Sequence, residues 1–578
     1  MSGGRATGFR AALAAVAIGA FVLRIIGLQY GLPSVYNPDE VAIMARALSF
    51  AKGTLNPENF LYPTFYFYVL FAWVGTYLGA VWLTGGVSSV AALQQLYFTD
   101  PTGIYTAGRA LGAVTGTLAV LAVYRLGERL FDRWTAIAAA GFLAVAPLAV
   151  RDSHYVKHDV PATLAVVLAC IAIVRIWPRH PPAGRHRHDV LIAGAACGAA
   201  FSTHYYCVFL ALPLAWAVVQ RWRPSGWRIV GRHLVTAGLT AMVVFFALSP
   251  FILVEPFVAW RDIVANRQIV IDRAIEAGAF APARRYLEML WHDSLGPPVI
   301  VLSLAGTFAM LLAHGRVAVL LLAFPLPFLA FISNTAPASR YLNPVLPFAA
   351  LMAAWGITRF CRRLPAGGAA ILLVVAACAV LPLRDSIRTG LFFRMDDTRT
   401  LAKRFIESNV PAGAGILLQP YSVSLTPSRA GLIEALSRGP GGVEGASTKF
   451  RLQLSLDPYP EPNYRLIWLG RGGLDAEKVY VDPADLRESP LERLRAMGVT
   501  FAILKRYNAL DPELMPLLAE LSRRGRLIAA FSPYRPGIPS DERARIEPFL
   551  HNTDTRIVEA LERPGPPLEI WQLDGPDS

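Results

Sequence analysis

The stretch RALGAVTGTLAVLAVYRLGERLF, residues 109–131, shows what kind of fold this chain adopts. Its long uncharged part is near the length that crosses a hydrocarbon core, which takes about 20 residues. Arginines return at its end, at Arg125 and Arg129, and Arg133 follows. Because loops rich in Lys and Arg mark the cytoplasmic side of a membrane, the stretch predicts a transmembrane helix over 105–126 that ends inside.

Similar apolar runs recur from the N-terminus to about residue 383, and the composition fits them. The chain has 578 residues, of which 54% are hydrophobic and 17% charged, and its mean hydropathy is +0.42. Since soluble proteins carry about 25% charged residues, this balance is typical of a multi-pass membrane protein. Residues 384–578 are richer in charge and contain no such run. We therefore predict an α-helical membrane domain over 1–383 and a soluble domain over 384–578.

The arginines of the membrane domain fall in six segments between apolar runs, which we place on the cytoplasmic side. The segments are Arg5 with Arg10, Arg125 to Arg133, Arg175 to Arg187, Arg221 to Arg232, Arg316, and Arg359 to Arg363. The spans that result are 11–30, 105–126, 134–150, 160–177, 189–203, 205–220, 234–252, 297–313, 317–332, 344–358 and 366–383. About eleven helices therefore start with a cytoplasmic N-terminus and end with an extracytoplasmic C-terminal domain. The first run lacks a small-x-small cleavage site, which favours a retained helix over a signal peptide.

One further apolar run, residues 63–84, is predicted not to cross the membrane. A crossing there would place the next arginine cluster outside and invert every following loop. Its aromatic start, YPTFYFY, suits an interfacial or re-entrant helix, because Tyr and Trp favour the headgroup layer. The run then belongs to a first outer loop, 31–104, on the same face as the loops 151–161, 253–296 and 333–344. Polar groups gathered on one face predict a single site.

The C-terminal domain has the pattern of an α/β fold. DDTRTLAKRFIESNVPAG, residues 396–413, predicts a helix that ends at Pro-Ala-Gly. Five strand-like runs follow, namely GILLQP, YRLIWLG, GVTFAILKRY, GRLIAAFSP and PLEIWQLDG. No glycine fingerprint opens a helix here, so a sugar-nucleotide site is not expected.

The net charge of +14 fits topology signals rather than nucleic-acid binding. The arginines form no basic helix and no basic stretch interleaved with aromatic residues. The five cysteines, Cys170, Cys197, Cys207, Cys361 and Cys378, lie in or beside apolar runs and form no CxxC pair. This distribution argues against a metal–thiolate site and against a disulfide framework.

Asp39 and Glu40, in VYNPDEVAIMARALSF (35–50), follow the first apolar run at the outer face. Locally they build a helix start, with Asn37 as N-cap and Pro38 at the first helical position. The apolar residues that follow have helical spacing and predict an amphipathic helix. Placing two adjacent carboxylates at the end of a hydrophobic helix bundle costs free energy that an ordinary helix cap does not require. A catalytic role is therefore the alternative.

The loop RDSHYVKHDVP (151–161) carries His154, Lys157 and Asp159. One interpretation is an ordinary polar loop in which Asp159 caps the next helix. The alternative is a substrate site or a divalent-metal site, although no HExxH-type spacing supports a metal. His204, in FSTHYY, adds a substrate-binding candidate at the turn of a helical pair.

Arg340 and Tyr341, in SRYLNPVLP (339–347), lie at an outer helix end beside prolines. An arginine there can snorkel to lipid phosphates or clamp the phosphate of a lipid-linked substrate. Arg24 and Arg109, in the first two predicted helices, raise the same choice. An arginine inside a membrane is a functional candidate by default.

Taken in order, these segments resemble the GT-C glycosyltransferases, in the branch of the protein O-mannosyltransferases and aminoarabinose transferases. The resemblance covers essentially the whole chain in order and is carried by RIIGLQYGLP, YNPDE, NPENFLYP, RALGAVTGTLAVLAVYRLGERLF, SHYVKHDVP, SRYLNPVLP and DDTRTLAKRFIESNVPAG. The family implies a polyprenyl-phosphate-sugar donor, an inverting mechanism and an active site at the outer membrane face.

The resemblance also implies roles for individual residues. The acidic pair of the family's first outer loop matches Asp39 and Glu40, with Asp39 as the expected catalytic base, and a second family aspartate matches Asp159. Where many relatives have a basic residue after Ser-Thr, this chain has His204. Where the aminoarabinose enzymes have Glu-Lys-Pro, it has Leu61-Tyr62-Pro63. No metal or phosphate role is carried over to these two points.

The predicted function is transfer of a sugar from a polyprenyl-phosphate donor to a hydroxyl of a glycan, lipid or protein, at the bacterial cytoplasmic membrane. The phosphate leaving group needs cations, for which Arg340 with Arg24 or Arg109 is expected. The acceptor needs a base, for which Asp39 is expected, with Glu40 and Asp159 completing the catalytic set by shaping the site or orienting the acceptor. No cofactor is required, with a divalent cation as an option. The alternatives are a lipid-linked sugar transporter or flippase, which should show paired repeats with broken helices, and a non-catalytic cell-envelope protein.

Overall fold

The computed structural model describes residues 2–178, 186–276, 280–364, 366–439, 441–472, 475–506, 512–551 and 556–573. Four predicted segments fall partly outside the described residues: the inner segment from Arg175 to Arg187 at 179–185, the outer loop 253–296 at 277–279, and the strand-like runs GVTFAILKRY and PLEIWQLDG at 507 and 574–575. The chain divides into two units. The membrane unit is Met1–Leu28, Pro38–Tyr77 and Tyr105–Leu391, and the C-terminal unit is Gln29–Asn37, Leu78–Ile104 and Phe392–Ser578.

The part of the chain up to Phe393 is helical. Its α-helices are α1 (Ser2–Ile25), α2 (Pro38–Ser49), α3 (Phe65–Leu83), α4 (Val90–Thr99), α5 (Thr102–Leu130), α6 (Arg133–Ala144), α7 (Pro147–Asp152), α8 (Asp159–Ile176), α9 (His186–Thr203), α10 (Ala211–Trp222), α11 (Trp227–Leu248), α12 (Phe251–Val254), α13 (Pro256–Glu276), α14 (Ala281–Met289), α15 (Pro297–Leu322), α16 (Pro325–Ile332), α17 (Leu346–Cys361) and α18 (Gly367–Phe393). Shorter 3₁₀ turns cover Phe50–Lys52, Tyr205–Leu210, Arg223–Ser225 and Ser339–Val345.

Eight helical segments in the described part of the chain are long and apolar enough to cross a membrane. They begin at Gly8, Phe65, Thr102, Asp159, Trp227, Pro297, Ser339 and Gly367. The prediction of a multi-pass α-helical membrane protein is thereby confirmed. The segment predicted to stay out of the membrane is one continuous helix, α3, and is among these eight, so its interfacial placement stays a prediction.

Seven of the eight segments coincide with predicted spans and the eighth is α3, and part of the difference from about eleven has a structural cause. The predicted span 134–150 is divided into α6 and α7, and 205–220 is a 3₁₀ turn followed by α10. His314, with φ −144° and ψ 49°, interrupts α15 where the turn between 297–313 and 317–332 was predicted. Broken and short helices therefore occupy positions that hydropathy assigned to single spans.

The central helices of the membrane unit are α5, α8 and α17, which are the most buried of the candidate spans. The peripheral helices α11, α15 and α18 expose large apolar side chains, such as Val243, Leu312 and Leu373. Contiguous exposed apolar surface of this kind is typical of helices that face lipid. α18 continues through the predicted domain boundary at 383/384, so the C-terminal part of the second unit begins later, at Phe392.

The C-terminal unit contains a mixed sheet covered by helices. Beyond Phe393 its elements are α19 (Thr398–Asn409), β1 (Gly415–Leu418), α20 (Arg429–Ser437), α21 (Thr448–Leu454), β2 (Arg465–Leu469), β3 (Val479–Val481), α22 (Pro490–Ala496), β4 (Phe501–Lys505), α23 (Met515–Arg524), β5 (Arg526–Phe531), α24 (Ser540–Arg543) and β6 (Leu568–Gln572). The strand order is β3-β2-β1-β4-β6-β5, in which β3, β2, β1 and β4 pair in parallel and β6 is antiparallel to both β4 and β5. The predicted α/β domain, its first helix and its five strands are confirmed, and β3 is an additional strand.

Candidate active site

α2 begins at Pro38 and carries Asp39 and Glu40 in its first turn, as predicted. The two carboxylates have different surroundings. The side chain of Asp39 is 40% exposed, whereas that of Glu40 is completely buried. The carboxylate of Asp39 is therefore open to solvent, whereas that of Glu40 is enclosed by protein groups.

Glu40 forms a buried ion pair with Arg109 of α5. Arg109 Nε donates to Glu40 Oε1 at 2.9 Å and Arg109 Nη2 donates to Oε2 at 2.8 Å, which is a bidentate pair. The backbone N–H of Val156 also donates to Glu40 Oε1, and Arg109 Nη1 donates to the carbonyl of Leu28. Glu40 thus joins α2, α5 and the loop before α8, and the guanidinium of Arg109 is directed at protein groups instead of the expected phosphate.

Asp39 contacts two cations from distant parts of the chain. Lys157 Nζ donates to Asp39 Oδ2 at 2.7 Å, and Arg340 Nη1 lies 3.7 Å from the same oxygen. Lys157 is almost completely buried, and Arg340 retains slight exposure. The guanidinium of Arg340 also faces the ring of Tyr341, with Cζ 5.1 Å from the centroid. The predicted outer loops therefore meet at one carboxylate.

Polar contacts join the two loops that supply these cations. Arg151 Nη2 donates to Ser339 Oγ at 2.7 Å, and Asn343 Nδ2 donates to Asp152 Oδ2 at 2.6 Å. All four side chains are buried. Because a buried network that satisfies its members is rigid, it holds the Lys157 loop against the segment of Arg340.

Three glycines on one face of α5 let the Lys157 loop approach the helix closely. Gly108, Gly112 and Gly116 recur every four residues. A Cβ added at Gly112 would lie 2.7 Å from the carbonyl oxygen of Ser153, and one at Gly108 would lie 2.9 Å from Val156 Cγ2. Small residues at this spacing allow backbones to pack directly against a helix in a membrane.

Replacing Gly112 with alanine is expected to displace the 153–157 loop and lower both stability and turnover. The added methyl group meets backbone atoms that cannot rotate away, and overpacking of this kind costs about 1–3 kcal/mol. Thermal unfolding of the full chain and turnover of a lipid-phosphate sugar are the measurements. Gly141→Ala in α6 is the control, since a Cβ there has no atom within 4 Å and should leave both unchanged.

Tyr62 belongs to the same site. Its segment is fixed through Phe60, whose N–H donates to Asp262 Oδ2 at 3.0 Å and whose carbonyl accepts from the Tyr205 hydroxyl at 3.0 Å. The ring of Tyr62 stacks on that of His158, with centroids 4.3 Å apart and planes inclined by 15°. Burial raises the pKa of Tyr62. Its hydroxyl is therefore neutral and can act as a hydrogen-bond donor.

Asp159, the first residue of α8, is buried beside these groups. Burial lowers the pKa of Lys157, and the charge of Arg340 lowers it further, whereas the charges of Asp39 and Asp159 raise it. The charges of Arg340, Asp159 and Asp39 likewise act on Tyr62. The four charged side chains and Tyr62 thus form one electrostatic group.

The two predicted histidines lie in different places. His154 is buried with its ring nitrogens 2.8 Å from the carbonyls of Val150 and Ile26, and burial lowers its pKa to about 4. His204 lies edge-on to Tyr62, with centroids 5.3 Å apart, and burial lowers its pKa to about 3. The His204 imidazole is therefore neutral at ordinary pH and offers no charge to a phosphate. Both ring nitrogens of His154 face backbone carbonyls, and of the two rings only that of His204 lies beside Tyr62.

Arg24 is enclosed in the bundle and is not directed at a substrate. It is 1% exposed, and its guanidinium donates to the carbonyls of Ala20 at 2.9 Å, Ala144 at 3.1 Å and Leu143 at 3.3 Å. The last carbonyls of a helix have no partner within it, so a cation at that end is favourable. Arg24 therefore caps the C-terminal end of α6, and these contacts give no support to the phosphate role expected for it.

Within the described ranges, no three His, Cys, Asp or Glu side chains converge as the ligands of a metal ion would. The optional divalent cation thus receives no support from these residues. The site does contain groups that the sequence reasoning missed, namely the buried Asp152–Asn343 contact and the glycines of α5. The four-residue spacing of those glycines was the one available signal.

The sequence comparisons agree with part of this picture. Residues 104–253 match the family model described as dolichyl-phosphate-mannose-protein mannosyltransferase. The match confirms the resemblance to GT-C glycosyltransferases over that region, which contains Lys157 and Asp159 but neither Asp39 nor Arg340. No match to a curated protein was found.

Several solved structures are similar to the chain at low identity. The apo oligosaccharyltransferase of Archaeoglobus fulgidus has 12% identity and a TM-score of 0.49, with 86% of this chain and 69% of that chain covered. The complex of the same organism's AglB with an inhibitory peptide and a dolichol-phosphate has 14% identity and a TM-score of 0.49, covering 92% and 74%. ArnT from Cupriavidus metallidurans bound to undecaprenyl phosphate has 14% identity and a TM-score of 0.49, covering 91% and 96%. Likeness at this level carries no argument about function.

Proposed function

We propose that this chain is an inverting glycosyltransferase that moves a sugar from a polyprenyl-phosphate donor to an acceptor hydroxyl at the outer face of the cytoplasmic membrane. The observation that carries the proposal is the half-exposed carboxylate of Asp39, 2.7 Å from Lys157 and 3.7 Å from Arg340. The family match over 104–253 supports a donor of the lipid-phosphate-sugar class.

Asp39 is the proposed general base. Its exposure leaves the carboxylate accessible to an acceptor hydroxyl. As the hydroxyl oxygen attacks the anomeric carbon, the carboxylate takes its proton, and the bond from that carbon to the phosphate oxygen breaks with its electrons on the phosphate. A single displacement of this kind inverts the configuration at the anomeric carbon.

Arg340 is the proposed ligand of the donor phosphate, in place of Arg24 and Arg109. Its guanidinium presents several N–H donors in a planar fork that matches phosphate oxygens, and it is not in hydrogen-bond contact with Asp39. Base and leaving phosphate lie on opposite faces of the sugar in an in-line displacement. Because 3.7 Å between Asp39 Oδ2 and Arg340 Nη1 is too short to hold a sugar, Arg340 must separate from Asp39 when the donor binds, while Lys157 orients the carboxylate.

The ion pair of Lys157 predicts a loss of activity on the alkaline side. Burial lowers the pKa of Lys157 below the usual value for lysine, about 10.4. The ammonium is charged below that lowered pKa and neutral above it, so turnover should fall at a lower pH than an ordinary lysine would allow. Lys157→Met should show a turnover lower by about 10- to 100-fold at neutral pH, because hydrogen bonds to charged groups contribute about 1.5–3 kcal/mol. A pH profile of kcat checks both statements, and an alkaline fall that persists in Lys157→Met contradicts them.

The test of the function is turnover by the purified full chain. Polyprenyl-phosphate sugars that differ in the sugar are supplied with a cell-envelope fraction as acceptor, and donor and products are followed by mass spectrometry. Consumption of one donor, with a product of inverted anomeric configuration, is the expected result. Binding without consumption would instead favour a transporter or a non-catalytic envelope protein, and retained configuration would overturn the single displacement.

A further inference from the structure

A row of aromatic rings extends from the charges around Asp39 along α2. The ring of Tyr62 stacks on His158, and His158 lies edge-on to Phe67 with centroids 4.9 Å apart. Phe67 in turn faces the guanidinium of Arg46, whose Cζ is 5.3 Å from the ring centroid. Three rings in succession therefore connect Tyr62, on which the charge of Asp39 acts, with Arg46.

Arg46 is a cation without a hydrogen-bond partner in the described part of the chain. It lies seven residues after Asp39, hence on the same face of α2 and about 10 Å along the helix axis. Its side chain is half-buried. The acid that acts on it electrostatically, Asp262, is already bound to the N–H of Phe60 and to Arg261. A half-buried guanidinium with free donors is suited to bind a carboxylate or a phosphate.

Buried polar atoms without partners surround the same rings. Among the described residues, His158 Nε2 and the hydroxyls of Tyr66 and Tyr206 have no hydrogen bond. Tyr66 lies 4.5 Å from His158 between ring centroids, and Tyr206 stacks on His204 at 3.8 Å. Since buried polar groups are almost always hydrogen-bonded, these donors and acceptors are suited to the hydroxyls of a saccharide.

We propose that Arg46 and the partly exposed ring of Tyr62, which His158 supports from behind, form a subsite for a negatively charged saccharide, which is the acceptor of the proposed reaction. A sugar ring stacks on Tyr62, and Arg46, about 10 Å from Asp39 along the axis of α2, binds an anionic group of the same saccharide. The inference rests on the proposed function and narrows its acceptor to an anionic glycan, as opposed to a neutral glycan, a lipid or a protein.

The test is a binding titration of the purified full chain with three disaccharide probes. The probes end in glucuronate, in glucose 6-phosphate or in neutral glucose. Wild type should bind at least one anionic probe 10-fold or more tightly than the neutral probe, and the tighter of the two identifies carboxylate or phosphate. Arg46→Gln should bind all three with the same weak affinity. Lys52→Gln is the matched control, because it removes an exposed cation at the end of the same region and should retain the preference.

Undecaprenyl phosphate binding separates this subsite from the donor site. Arg46→Gln should leave that affinity unchanged, and Arg46→Glu should prefer a glucosamine-terminated probe. The inference is overturned by equal affinities in wild type, by a preference that persists in Arg46→Gln, or by an equal loss of undecaprenyl phosphate binding in that variant. A wild type that discriminates the probes but consumes no lipid-phosphate sugar overturns the proposed function and leaves the saccharide subsite standing.

Discussion

Replacing Asp39 with asparagine is expected to lower kcat by about 100- to 10,000-fold, the contribution typical of a positioned general base. The amide has nearly the same shape as the carboxylate and can still accept a hydrogen bond from Lys157, so the helix start and the loop contacts should persist. What it cannot do is take the proton of the acceptor hydroxyl. The measurement is single-turnover transfer from a lipid-phosphate sugar, with undecaprenyl phosphate affinity recorded in parallel and expected to be retained.

Asp396→Asn is the matched control for this prediction. Asp396 is 47% exposed and pairs with Arg404 at 2.8 Å, close to the exposure of Asp39 and to its distance from Lys157, but it is not part of the site. It should retain wild-type turnover. A folded Asp39→Asn variant that transfers sugar at a near-normal rate would contradict the assignment of Asp39 as the general base.

The sequence predicts that Asp39, Lys157 and Arg340 lie on the same face of the membrane, but not that their side chains are in contact. The positive-inside rule placed their three segments on one side of the membrane, because it depends only on where arginines interrupt apolar runs. Which atoms touch was not predictable, since Asp39 and Lys157 are 118 residues apart and their contact depends on how the intervening helices pack. The four-residue spacing of the glycines in α5 does indicate that another segment packs closely against that helix. Residues four apart share a helix face, and small residues permit close approach of a backbone.

The contacts of Arg24 and Arg109 could not be predicted from hydropathy. A cation inside a membrane helix requires a partner, but the sequence does not say whether that partner is a phosphate, a carboxylate or a helix end. Arg109 has Glu40, and Arg24 has the carbonyls that end α6. Likewise Asp39 and Glu40 are adjacent in sequence, yet a rotation of about 100° per residue directs them to different neighbours.

The C-terminal domain was more predictable than the helix ends of the membrane unit. Its five longer strands are apolar runs bounded by turn residues, whereas β3 has only three residues, Val479–Val481, and no periodic signal. α18 extends to Phe393 because helix formation does not stop where apolar residues do. Hydropathy predicts which part of a helix lipid can cover, but it does not predict where the helix ends, because the end depends on capping and packing.

Removing one partner of the Glu40–Arg109 pair should have the largest effect on stability. Glu40→Gln leaves the guanidinium of Arg109 buried without its counter-charge, which costs about 3–5 kcal/mol. Thermal unfolding of the full chain in detergent should show a clearly lower Tm, together with a lower yield of folded protein. Glu128→Gln is the control, because its pairs with Arg125 and Arg133 are exposed and contribute about 0–1 kcal/mol.

A double variant separates the charge from the contacts that Glu40 makes. Glu40→Leu combined with Arg109→Leu leaves no unpaired charge, so it should be more stable than either single variant. It should not reach wild type, since the N–H of Val156 then lacks its acceptor, at a cost of about 1–3 kcal/mol. If the single and double effects simply add, Glu40 and Arg109 do not act as a pair. If Glu40→Gln keeps the wild-type Tm but loses turnover, the role of Glu40 is catalytic. The proposal that Glu40 fixes the position of α2 and of Asp39 would then be wrong.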